Sequence, residues 1–191
     1  MLNSEFFQSG RDKDYCMEYV NKTIEDLLES YRPAIGVDYD KYKNHVYRVF
    51  LNCILIDHEG ENVDKYAIAA AFHDIGIWTD RTIDYLYPSI DQMEFFLANN
   101  GKKEWINEIT LMIYWHHKTG RYVGKYQQTV ETFRKADWID VSLGLITFGA
   151  ERRQIRQTRK MLPNLGFHVF LLKKIFKNFF LHPLNPLPMF K

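Results

Sequence analysis

Ala67-Ile68-Ala69-Ala70-Ala71-Phe72-His73-Asp74-Ile75-Gly76 is an apolar run that ends in an imidazole and a carboxylate side by side. It reads as the end of a helix, with Asp64 placed to cap its start and Gly76 where it should stop. A His-Asp pair at the apolar end of a helix is costly unless something compensates. A divalent cation would do so. Imidazole nitrogens and carboxylate oxygens suit Mn, Fe, Zn, Ni or Co, and they leave positions open for water or substrate. The alternative is a helix-terminal pair whose imidazole bonds the last carbonyls.

Working outward, the periodicity stays helical. Asp12–Ser30 carries Tyr15, Tyr19, Val20, Ile24, Leu27 and Leu28 at helical spacing, and Pro33 and Gly36 break that pattern. Asp40–Ile56 places Tyr42, Val46, Val49, Phe50, Cys53 and Ile54 on one face. Pro88 is well placed to open a helix that Asn99-Asn100-Gly101 stops. Further helices are expected over Trp105–His117, Val130–Phe148, Glu151–Leu162 and Phe167–Leu181, with Thr79–Tyr87 undecided. Three prolines after His182 preclude regular structure there. No convincing period-two run occurs. The expectation is an all-α bundle of about eight helices, in which residues 1–150 form the main domain. Residues 151–191 form a C-terminal helical extension packed on it.

Composition narrows the class. The chain has 191 residues, 46% apolar and 16% aromatic, enough to bury a substantial core and exclude global disorder. Two cysteines, Cys16 and Cys53, exclude a disulfide scaffold, and there is no C-x-x-C for a zinc ribbon. The first residues lack the apolar segment of a secretory signal, and no run reaches the roughly 18–20 residues of a membrane span. A soluble, cytoplasmic protein is expected. All 24 carboxylates lie at or before Glu151, and nine Lys and Arg follow it. This asymmetry suggests an anionic partner for the tail, or docking of the tail on the acidic body. Arg152, Arg156, Arg159 and Lys160 form one helical stripe, while Lys173, Lys174 and Lys177 sit on an aromatic amphipathic helix. A homodimer stays open.

Two more positions join the pair. His45 lies mid-helix, and Asp137 lies within Phe133-Arg134-Lys135-Ala136-Asp137-Trp138. In the order H…HD…D, His45, His73-Asp74 and Asp137 resemble the HD-domain superfamily of metal-dependent phosphohydrolases. The local contexts His45-x-x-Arg48-Val49 and Ala69-Ala70-Ala71-Phe72-His73-Asp74-Ile75-Gly76 agree, over roughly Tyr39 to Val141. The resemblance implies an all-α HD-type bundle in which His45, His73, Asp74 and Asp137 hold one divalent metal ion (Mn, Fe, Co, Ni, Zn or Mg). It also implies hydrolysis of a phosphomonoester or phosphodiester, with a nucleotide as the small phosphorylated substrate. Ile77 stands where cyclic-dinucleotide phosphodiesterases of the family carry a Lys, and their GYP signature is absent.

His116-His117 ends another apolar helix. Helical neighbours point about 100° apart, so one of the two is expected to face the site and contact phosphate or the outer coordination sphere. Two-metal relatives carry a further histidine before such a doublet. None lies between Asp74 and His116, which favours one metal. Arg48, one turn from His45, is a candidate phosphate clamp, or else a structural partner of Asp137 or Asp74. Asp80, with Asp74, is a candidate proton carrier, Asp84 lies on the same rim, and Asp140 is placed to orient a ligand. The alternatives are a non-catalytic HD module that binds a nucleotide or protein, and a di-iron oxygenase.

Overall fold

Residues 20–181, which the computed structural model describes, contain helices and no strand. α1 spans Lys22–Ile35, α2 Tyr39–Ile56, α3 Val63–Phe72, α4 Gly76–Thr79 and α5 Leu86–Asn99. α6 spans Ile106–Trp115, α7 Gln127–Val141, α8 Arg152–Met161 and α9 Phe167–Leu181. The architecture is an all-α bundle. Among the described residues, no helix is long and apolar enough to cross a membrane.

α2 is the axis. It lies along α7 and also meets α1, α3, α8 and α9. Tyr42, Val46, Val49, Phe50 and Cys53 are buried as the periodicity predicts, but so are Tyr39, Tyr47, Asn52, His45 and Arg48. A helix covered on most of its circumference must satisfy its polar side chains internally. Asn52 therefore donates to Ala136 O of α7 at 3.1 Å. α3 is buried continuously from Tyr66 to Phe72, and its alanines let α2, α5 and α6 approach closely. Tyr42 donates from α2 to Ala71 O at 2.9 Å, fixing the end of α3 that carries the His-Asp pair.

The structure redraws several boundaries. α1 starts at Lys22 behind the Asn21 cap, Val20 is exposed, and the expected helical residues 12–19 lie outside the described residues. The prolines after His182 do so too. α1 runs past Pro33 to Ile35, where Gly36, at φ 61°, closes it by donating to Arg32 O. α7 stops at Val141, short of Phe148. Leu143 N donates to Asp140 O, and Gly144 N to Ile139 O, which together make a Schellman cap with both residues at positive φ.

Gly76 starts the short α4 and does more than end α3. A Cβ there would lie 2.6 Å from Tyr85 O and 2.9 Å from Pro88 Cβ. Only glycine lets the turn after the His-Asp pair seat against the start of α5, where Gly76 N donates to the buried Ser89 hydroxyl at 2.9 Å.

Candidate metal centre

α2, the end of α3, the turn after α6, and α7 bring His45, His73, Asp74, His116, His117 and Asp137 together in the interior. The ring orientations follow from local chemistry. His73 caps α3, and its Nδ1 lies 2.8 Å from Ala70 O. His116 caps α6, and its Nδ1 lies 2.5 Å from Ile113 O. A ring nitrogen facing a carbonyl must carry hydrogen and donate, so each Nε2 is left for a proton or a metal. His45 Nδ1 likewise donates to Asp140 Oδ2 at 2.7 Å. All three imidazoles are tied by Nδ1 and turn Nε2 inward.

The inward atoms converge. His45 Nε2 and His73 Nε2 are 2.9 Å apart, and they lie 3.5 and 3.4 Å from Asp74 Oδ2. Both are 3.8 Å from Asp137 Oδ1. The other Asp74 oxygen, Oδ1, lies 3.6 Å from His116 Nε2, and Asp137 Oδ2 lies 3.7 Å from His117 Nδ1. Donors about 2.1 Å from a common cation stand roughly 3.0–3.4 Å from one another. The observed separations bracket that range. Asp74 Oδ1 and His116 Nε2 are buried without a hydrogen-bond partner, a costly arrangement for two facing polar atoms. The donor set fits a divalent cation. His45-His73-Asp74 and Asp74-His116-His117 each form a group able to hold one, and they share Asp74.

The electrostatics agree. Burial disfavours a charged His45, but Asp140 and Asp74 outweigh it and raise its pKa to about 9. His116 is also raised against burial, by Asp74 and Asp137. Burial dominates at His73, lowered to about 3, and at Asp137, raised to about 7. Asp74 is held well below the usual carboxylate range despite its burial, by His73, His116 and His45. Without a cation, His45, His116 and Asp137 hold protons more tightly than usual, while His73 stays neutral.

His116 and His117 both face the cluster, where helical geometry predicted one. They lie past the last residue of α6, in a turn, so the 100° rule does not apply to them. Arg48 pairs with Asp140, not with Asp137 or Asp74. Its Nε and Nη2 donate to the two Asp140 oxygens at 2.6 and 2.9 Å, and its Nη1 reaches Leu162 O and Pro163 O. Its side chain is only 1% exposed, so it faces Asp140 and the chain beyond α8. Asp80 is exposed at the end of α4, where it accepts from Thr79 Oγ1, and Asp84 is exposed as well.

Sequence reasoning missed Tyr85, Phe167 and His168, and it placed Arg159 on a basic stripe without finding its partner. The buried Tyr85 bonds His117 Nε2 through its hydroxyl. Arg159 Nη1 donates to Asp140 Oδ1 at 3.0 Å, and His168 Nε2 donates to Asp140 O at 3.1 Å. The Phe167 ring stacks on His45 at 4.2 Å. The basic segment thus walls one side of the centre. No simple spacing signal marks Tyr85, since it lies in the undecided stretch before α5.

Compared with protein-family models, with curated proteins and with solved structures, the chain matches none.

Proposed function

We propose that the chain is an HD-type, metal-dependent phosphohydrolase acting on a phosphomonoester or phosphodiester, with nucleotides as its substrate class. The observation that carries the metal is the unpartnered pair Asp74 Oδ1 and His116 Nε2, buried and aimed at each other. The H…HD…D order, whose four residues meet at one point, supports the family. The family resemblance supports phosphate chemistry and the nucleotide.

His45, His73, Asp74 and Asp137 would hold the ion. When bound, it supplies Lewis acidity toward a phosphoryl oxygen and lowers the pKa of a water. Asp140 fixes the His45 tautomer. His117 is the most exposed member of the cluster, its side chain 16% accessible, so substrate approaches from its side. There His116 and His117 face charge on the phosphoryl group, and the Tyr85 hydroxyl bonded to His117 can relay a proton.

The test joins metal analysis of the purified protein to a phosphate-release screen over nucleotides with Mn, Co, Ni, Mg and Fe(II). Release in one nucleotide class that disappears in Asp74→Asn is the expected result. Unaltered release in that variant would sink the assignment. One observation favours a second reading. Because Asp74 is shared by two donor groups, two ions can be accommodated. Two irons per chain, with no phosphate release, would move the chain to the oxygenase branch of the same fold.

A further inference from the structure

The Schellman turn after α7 and the face of α8 border an open cavity of about 270 Å³. Arg152, Arg156 and Arg159 line one side, Leu143 and Leu145 the other, and the buried Ile155 lies at its base. The walls are closely fitted. A Cβ on Gly144 would lie 3.0 Å from Ile155 Cγ2, so glycine is what lets α8 approach the turn.

Two of the three arginines in this cavity, Arg152 and Arg156, lack counterions among the described residues. Eight Lys and Arg and no carboxylate occur from Arg152 to Leu181. Arg152 and Arg156 are exposed and make no hydrogen bond or ion pair with any described residue. Arg159 bonds Asp140 through Nη1 alone. Three guanidiniums on one helical face are the arrangement that phosphate recognises, because each fork can give two parallel hydrogen bonds to its oxygens. One carboxylate would leave most of that charge uncompensated. The volume sits just below roughly 300 Å³, the lower end of small-molecule pockets, which suits a small ligand. The exposed Leu143 and Leu145 offer an apolar rim to an organic group.

We propose that this cavity binds a small phosphorylated ligand, with its phosphate held by Arg152, Arg156 and Arg159. The site is separate from the metal centre but linked to it. Arg159 bonds Asp140 and Asp140 bonds His45, so two hydrogen bonds lead from the cavity to the cluster. The binding does not depend on the chain being a hydrolase.

Calorimetric titration of the full chain with pyrophosphate tests it, beside Arg152→Ala/Arg156→Ala and Asp74→Asn. Both arginines are exposed on α8, so the double variant should keep the native Tm. The expected result is binding weakened at least tenfold in the double variant and unchanged in Asp74→Asn. Binding lost in Asp74→Asn but kept in the double variant would place the phosphate at the metal centre and overturn the proposal. So would absence of binding at millimolar pyrophosphate. Sedimentation with vesicles containing phosphatidic acid separates the two phosphate sources. Arginine-dependent binding to vesicles without binding of pyrophosphate would assign the surface to a lipid headgroup and overturn the small-ligand site.

Discussion

Asp140→Asn should damage the protein twice, through two separable effects. The Asp140 carboxylate is 1% exposed and is shared by His45, Arg48 and Arg159. His45 and Arg48 hold it well below the usual carboxylate range, although burial opposes them. An amide keeps the shape but removes the charge, and its NH2 faces N–H donors on one side. That leaves the Arg48 guanidinium buried without a counterion. Breaking a buried pair this way costs about 3–5 kcal/mol. At roughly 2–4 °C per kcal/mol for a chain of this size, Tm should fall by about 6–20 °C. The second effect is on metal. His45 loses the acceptor that fixes Nδ1–H, and such partners are worth about 10–100-fold in affinity. Thermal unfolding in chelator reads the first effect, and competition with a chromogenic chelator at 10 °C, where the variant stays folded, reads the second. Arg48→Met/Asp140→Leu should recover much of the Tm, because replacing both charges removes the desolvation penalty, yet it should not recover the affinity. A Tm unchanged by Asp140→Asn would refute the charge argument. Native metal affinity in the folded variant would refute the positioning role.

Three further outcomes are expected. Asp74→Asn should abolish tight Mn²⁺ binding while far-UV circular dichroism stays near normal, since Asp74 Oδ1 has no partner to lose; a collapsed spectrum would make Asp74 structural instead. Gly76→Ala should cost about 1–3 kcal/mol, because its Cβ would meet the Tyr85 carbonyl at 2.6 Å, and denaturant unfolding checks it. Metal affinity should rise with pH between 6 and 9. His45, at about 9, and Asp137, at about 7, hold protons in the metal-free chain that a cation must displace, so raising the pH removes its competitor. A flat profile in the chelator assay would rule that competition out.

The helices and the four candidate ligand positions were legible because both rest on local pattern. Apolar spacing exposed α2, α3 and α6, and each candidate ligand lies on or just beyond a helix with apolar flanks. What was not legible depends on where helices stop and what meets across the bundle. α7 looked longer because Leu145, Ile146 and Phe148 continue an apolar pattern, yet the cap at Leu143 and Gly144 ends the helix and leaves those side chains exposed. The same uncertainty at the end of α6 hid the second histidine. Arg48 is one turn from His45, so proximity to the site was predictable. Its partner was not, because the Asp140 carboxylate and the carbonyls of Leu162 and Pro163 reach it from distant parts of the sequence.

The position of a histidine along its helix decides what support it needs. The last four carbonyls of a helix have no intrahelical donor. Ala70 belongs to the last turn of α3 and Ile113 to that of α6, so His73 and His116 find acceptors for Nδ1–H in their own helices. Bonding the last carbonyls and binding a metal are therefore not competing roles for these residues. One nitrogen does the first and thereby aims the other at the second. His45 lies in mid-helix, where the nearby carbonyls are already taken by the helix ladder. It needs an acceptor from elsewhere, and α7 supplies Asp140. A carboxylate that deep needs positive charge, which Arg48 and Arg159 supply. The histidine that its own helix cannot orient thus brings with it a buried ionic network. That network ties α2 and α7 to the basic segment, which is how residues far from the His-Asp pair come to bear on the centre.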